Sequence, residues 1–252
     1  MTTRRTLIKG AAAAVLGAAA GGADALGSVA PETGLETLMM KQLARELGSE
    51  SVAQKLAPLI FEATMRWTYP RMPARDADAL IAYSFGNRIP EAGADHQALG
   101  PDGSVPGPIN ARLAEIVSGI RAVKDIPVYA QWEIAAILQD TYRMDRVIPI
   151  YPERGADGKI IYLSTEGVAR VVLHHAGSAA ALGRAGIVGH RDHVKRCILM
   201  SQSVGLTAAA IDGIPLPVDY DTLSGQPWTR DRATYLLGDM LAQLSMERAK
   251  LL

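Results

Sequence analysis

The chain has 252 residues, with 26 Lys and Arg against 26 Asp and Glu, 48% hydrophobic residues and one cysteine. That is apolar content enough for the core of one ordinary domain or two small ones. Formal neutrality argues against a nucleic-acid binder, which needs a basic excess to neutralise phosphates, and a single thiol excludes a disulfide framework or a Cys-rich zinc site.

The first 25 residues read as an address rather than as part of a fold. Arg4 and Arg5 precede Leu7, Ile8 and Lys9; an uncharged Ala- and Gly-rich stretch from Gly10 to Gly22 follows, and then Ala23-Asp24-Ala25. A basic start, a weakly apolar centre and a small-x-small cleavage site make an export signal. The paired arginines resemble the signal of the bacterial twin-arginine route, which implies the twin-arginine translocase as partner and a periplasmic or other extracytoplasmic location. The apolar run is shorter than the roughly 20 residues of a bilayer span, so membrane contact is expected only through this segment. It takes with it three of the 26 basic and one of the 26 acidic residues, leaving 23 against 25 and a slightly acidic mature chain.

Residues 26–76 read as a helical extension. Thr33-Gly34-Leu35-Glu36 has the form of a capping box, with Leu35, Leu38, Met39, Leu43 and Leu47 at helical spacing behind it. A second helix is expected from about Ser51 to Trp67, bent or restarted at Pro58, and Tyr69 to Pro73 breaks the pattern.

From residue 77 to 252 short apolar runs alternate with amphipathic helices. Strands are expected at Ala79 to Tyr83, Ile126 to Ala130, Val147 to Tyr151, Ile160 to Leu163, Gly186 to Val188 and Leu206 to Ile211. Helices are expected around Leu113 to Ile120, Trp132 to Leu138, after Ser164, over Val194 to Ser203, and from Trp228 to the end, with Pro215 to Tyr220 extended. The loop after the first strand, roughly twenty residues long and rich in Gly and Pro, has the length of a functional loop. The alternation defines an α/β fold: a mostly parallel, Rossmann-like sheet with helices on both faces, behind the helical extension.

Ligands bind such sheets beyond the carboxyl ends of the strands. This selects Ser84, Gly86, Asn87 and Arg88 after the first strand, Ser164 and Glu166 at a helix start, and the turn from His190 to His193. His193 and Arg196 share a helix face one turn apart, where they can hold a phosphate or carboxylate; a solvated helix start capped by Asp192 is the plainer alternative. On the first reading His193 and Arg196 could both be replaced at little cost to stability. His190 and His193 make at most half a zinc site, so no metal site is assigned, and His174 and His175 point in different directions on a helix. No dinucleotide fingerprint, P-loop or Gly-x-Ser-x-Gly elbow occurs, and no cofactor is identified.

The order of these pieces, namely a strand ending at Gly86, a helix with Arg112, a strand followed by Glu133, Ser164-x-Glu166 at a helix start and His193-x-x-Arg196 after a strand, resembles the YdcF/SanA-like family of bacterial envelope proteins. The resemblance covers about Ala77 to Leu252. It implies a Rossmann-like domain linked to the envelope, and a polar set of Gly86, Arg112, Glu133, Ser164, Glu166, His193 and Arg196. The chain departs from the family at Ala130-Gln131-Trp132, Gly167 and Gly189. In one branch the family binds S-adenosylmethionine, which is scarce outside the cytoplasm and is not expected here. The reading is an exported protein that binds or acts on a phosphate- or carboxylate-bearing small molecule or glycan-lipid intermediate. Arg88, Arg112 and Arg196 would hold the anion, with His193 and Glu166 as acid and base. The alternatives are a non-catalytic binding or scaffold protein and a metal-dependent hydrolase.

Overall fold

The computed structural model describes residues 32–91 and 99–251. The segment expected to be an export signal and residues 92–98 of the long loop lie outside the described residues. Contacts divide the chain into units 1–57 and 58–252, with the boundary inside a helix. In the first unit, α1 (Glu32–Leu47) ends at Gly48, whose φ of 61° suits the reversal, and α2 (Glu50–Thr64) begins. The helix α1 already includes Thr33, so it begins ahead of the expected capping box. The helix α2 runs on through Pro58 to Thr64 and does not restart there. No described helix is long and apolar enough to cross a membrane.

The second unit is built on a six-stranded, all-parallel sheet. In chain order its strands are β1 (Arg71–Met72), β2 (Ala79–Ala82), β5 (Val128–Gln131), β6 (Val147–Ile150), β9 (Arg184–Val188) and β10 (Thr207–Ile211). They lie side by side as β1-β10-β9-β2-β5-β6. From the central β2 the chain steps outward through β5 to β6, then returns to β9 on the other side of β2. The direction of travel therefore reverses between β2 and β9, where a doubly wound sheet leaves a crevice at its carboxyl edge. The remaining short strands form two antiparallel ribbons, β3 (Asn87–Arg88) with β4 (Val105–Pro106) and β7 (Glu153–Arg154) with β8 (Ile160–Ile161). Ile160 to Leu163 thus does not join the main sheet, and residues 71–72, which read as a break in the pattern, pair with β10 at its edge.

Alternation along β2 decides what covers each face. Leu80 and Ala82 point to one side, where α3 (Pro108–Val123) and α4 (Trp132–Asp140) bring Leu113, Val117, Ile134 and Leu138. Ala79, Ile81 and Tyr83 point to the other, where α5 (Thr165–Ala176) and α7 (Val194–Ser203) bring Val168, Val172, Cys197 and Ile198. Cys197 is free and buried, as its apolar helix suggests. The four-residue α6 (Ala179–Leu182) leads into β9, and α8 (Arg232–Lys250) closes the chain.

Gly186 sits at a crowded point of the sheet. It pairs with Leu80, and a Cβ there would lie 2.7 Å from Ile211 Cδ1 and 2.8 Å from Leu80 Cδ2. Gly186→Ala should therefore destabilise the protein by about 1–3 kcal/mol through overpacking. Urea denaturation would read this as a lower midpoint at an unchanged m-value.

Candidate functional site

Three chain segments meet where the sheet reverses, and each is held by its own hydrogen bonds. After β2 the loop Ser84-Phe85-Gly86 is clamped from both sides: Ser84 N–H donates to Gln131 Oε1 at 3.0 Å and Phe85 N–H to Asn110 Oδ1 at 2.9 Å. Asn110, fully buried in the first turn of α3, donates in turn to Gly86 O at 2.6 Å. Gly86 has φ 73°, and a Cβ would lie 2.8 Å from Ser224 Oγ and 2.9 Å from Thr229 Oγ1. Both the conformation and the space demand glycine.

The second segment follows β5. Glu133, in the first turn of α4, is completely buried and accepts a short hydrogen bond from the Tyr162 hydroxyl, while its Oε2 has no hydrogen-bond partner. Burial pushes its pKa up to about 7, against the opposing pull of the Tyr162 hydroxyl. The Tyr162 hydroxyl also accepts from Asn87 Nδ2 at 3.0 Å and from Trp132 Nε1 at 3.3 Å. With those two donors satisfying its lone pairs, its own proton is directed to Glu133.

The third segment follows β9. His193 is buried, and that burial, reinforced by the charge of Arg196, lowers its pKa to about 4, so the ring is neutral at pH 7. Its Nδ1 lies 3.6 Å from Asp239 Oδ1, too far for a hydrogen bond. Each nitrogen of Arg196 makes one bond: Nε donates to Asp239 Oδ1 at 2.5 Å, Nη1 to Thr165 Oγ1 at 2.6 Å and Nη2 to the Tyr235 hydroxyl at 3.1 Å. His190 is structural. It stacks on Phe85 with ring centroids 3.9 Å apart, accepts from Asp192 N–H at Nδ1, and donates from Nε2 to Asp219 O. Asp192 does not cap α7; its carboxylate takes Arg191, Arg232 and Tyr220.

Between these segments lies a cavity of about 190 Å³. Of the residues selected from sequence, Ser84, Gly86, Ser164, His193 and Arg196 line it. Ser164 also caps α5 as expected, accepting from Gly167 N–H at 3.0 Å. The other five do not line it. Asn87 and Glu133 lie behind the wall, joined to it through Tyr162. Arg88 makes a two-pronged pair with Asp221 at 2.7 and 3.0 Å, and Arg112 pairs with Asp219. Glu166 pairs with Arg170 one turn along α5 at the surface. The expected three-arginine anion clamp is therefore not assembled: each arginine is occupied by an aspartate, and Arg88 and Arg112 stand outside the cavity.

Asn110, Gln131, Tyr162 and Asp239 were not singled out from sequence, whereas Thr165 belongs to the turn at Ser164 to Glu166 that was. Of those four only Asp239 left a trace in the sequence: with Tyr235 and Gln243 it forms a polar i, i+4, i+8 stripe on α8, and that stripe is buried. Among the described residues no three His, Cys, Asp or Glu side chains group as a metal site would require, and His174 and His175 are exposed.

Fold and site define a doubly wound α/β protein with a small polar cavity at its switch point. Compared with protein-family models, curated proteins and solved structures, the chain matches none.

Proposed function

We propose that this chain is an exported envelope protein of the YdcF/SanA-like kind that takes the phosphate or carboxylate end of a small molecule or glycan-lipid intermediate into the switch-point cavity. The observation that carries this reading is the convergence of Ser84, Gly86, Ser164, His193 and Arg196, from three distant segments, on one cavity. The start of α5, at Ser164 and Thr165, borders it, and the start of α7, at His193, does so too, so two helix dipoles favour negative charge there. At about 190 Å³ the cavity is smaller than the roughly 300–1,000 Å³ of pockets that swallow a whole drug-sized ligand. It suits a headgroup. In this proposal Glu133, with its pKa near 7, takes over the acid–base role expected of Glu166 and works through Ser84 or Tyr162, while neutral His193 is a proton acceptor.

A second reading, a binding protein without catalysis, is favoured by one observation: Arg88, Arg112 and Arg196 are each committed to a carboxylate. No arrangement among the described residues favours the metal-dependent hydrolase, since His190, His193 and Glu166 do not group as ligands there.

A thermal-shift screen over sugar phosphates, carboxylates, nucleotides and metal salts tests the site. A phosphate- or carboxylate-bearing compound should stabilise the protein by about 2.7 kcal/mol at a hundred times its Kd. Ser84→Ala should weaken that response. No hit across the panel would overturn ligand binding, and a hit indifferent to Ser84→Ala would overturn the site. Binding without turnover of the hit would select the second reading.

A further inference from the structure

The turn that gives His193 to the first cavity gives Arg191 and Asp192 to a second one, which shares no lining residue with it. This second cavity measures about 430 Å³ and combines two kinds of wall. One is aromatic and apolar: Trp67 and Tyr69 from the segment leading into β1, facing Leu236 and Met240 of α8. The other is cationic: Arg71, Arg191 and Arg232.

The charge of the lining does not balance. Asp192 is its single carboxylate, 5% exposed at the side chain, and it serves both Arg191, at 3.1 Å, and Arg232, at 2.8 Å. Arg71 has no carboxylate partner among the described residues. Its Nη2 donates to the Tyr69 hydroxyl at 3.2 Å, and its guanidinium carbon stands 4.9 Å from the Tyr69 ring centroid. Three guanidiniums against one carboxylate leave a net charge of +2 beside an indole and a phenol. Arg191 spends only Nε on Asp192, so part of its donor fork is uncommitted among the described residues.

From this arrangement we infer that the second cavity is a binding site for a small aromatic anion, a phosphate or carboxylate carried on an aromatic ring. Guanidinium forks match the oxygens of either anion, and the ring would stack on Trp67 and lie against Leu236 and Met240. Neither half of the ligand suffices. A bare anion leaves the aromatic wall wet, and a neutral ring leaves the excess positive charge unanswered. The site is independent of the first cavity and of the function proposed for it.

Isothermal titration of the full chain with phenyl phosphate, benzoate, phenol and inorganic phosphate tests the inference. At least one of the two aromatic anions should bind saturably and about tenfold or more tighter than phenol and inorganic phosphate, the loss expected when a charge-assisted contact or the stacking surface is missing. Arg71→Gln and Trp67→Leu should each weaken it by about tenfold as well. Arg71 is exposed, so its replacement leaves the fold intact, and Arg71→Lys should restore part of the affinity. Ser84→Ala, which alters the first cavity, should leave aromatic-anion binding at the second one in place. The inference is overturned if neither aromatic anion binds, if inorganic phosphate or phenol binds equally well, or if binding survives both second-cavity variants. Loss of binding in Ser84→Ala alone would overturn it too, by placing the ligand in the first cavity.

Discussion

Asp239→Ala should cost the folded protein about 3–5 kcal/mol, the penalty for leaving a buried charge without its partner. Asp239 is fully buried on α8, and its carboxylate takes Arg196 Nε and Gln243 Nε2. The Arg196 side chain is only 17% exposed and cannot recover its lost hydration by moving into water. Burial, the largest single influence on Asp239, raises its pKa. The Arg196 guanidinium, bonded to the carboxylate at 2.5 Å, opposes it, and the carboxyl is held below its usual 3.8. A carboxyl whose pKa is lowered by folding stabilises above its unfolded pKa, so this contribution is present at neutral pH and is lost only below about pH 4, as the folded group protonates. Urea denaturation at pH 7 measures the loss. Arg196→Met combined with Asp239→Leu should recover most of it, because removing both charges leaves nothing unpaired. A single-variant loss below about 1 kcal/mol would mean that the pair is solvated. This differs from the expectation drawn from sequence, in which His193 and Arg196 were binding residues replaceable at little cost to stability.

Glu133→Gln should produce the second large effect, and with the opposite pH signature. Folding raises the Glu133 pKa from 4.5 to about 7, so between those values the folded protein binds the extra proton. Stability from this residue is therefore greatest below pH 4.5, declines as pH rises to 7, and is lower by about 3 kcal/mol above that. Glutamine cannot ionise. Measured against the parent chain, Glu133→Gln should gain about 3 kcal/mol between pH 4.5 and 8, with the gain complete near pH 7. His190 and His193 act in the reverse sense. Their pKa values fall from 6.5 to about 4, so both chains lose stability as pH drops from 6.5 toward 4, and comparing the two chains cancels that slope. If the proposed acid–base role is right, the same variant also lowers turnover by about 100-fold to 10,000-fold. A stability difference flat in pH would show that Glu133 is ionised in the folded protein at neutral pH.

Much of the fold was legible because hydrophobic period is a local property. Ala79 to Tyr83 as a continuous apolar run, the alternation of such runs with amphipathic helices, and Ser164 as a cap all survive in the structure. Arg71 and Met72 were not legible, since two residues become a strand only because β10 offers them a free edge. The same holds for Ile160 and Ile161, whose apolar character suits a sheet but whose pairing is with β7. The rule that ligands sit beyond strand ends located the cavity within a few residues.

What the rule could not do was assign partners. Glu133 and Glu166 look alike in sequence, each in the first turn of a helix, yet one is sealed beneath Tyr162 and the other pairs with Arg170 at the surface. Arg88, Arg112 and Arg196 looked like three free cations because Asp221, Asp219 and Asp239 lie 133, 107 and 43 residues away along the chain. Sequence alone determined the alternation of strands and helices and the strand ends at which polar groups collect, since both follow from periodicity and from turns of a few residues. Tertiary structure decided which of those groups are charged, paired or exposed, because a side chain's ionisation depends on burial and on partners that only long-range packing brings within a few ångströms.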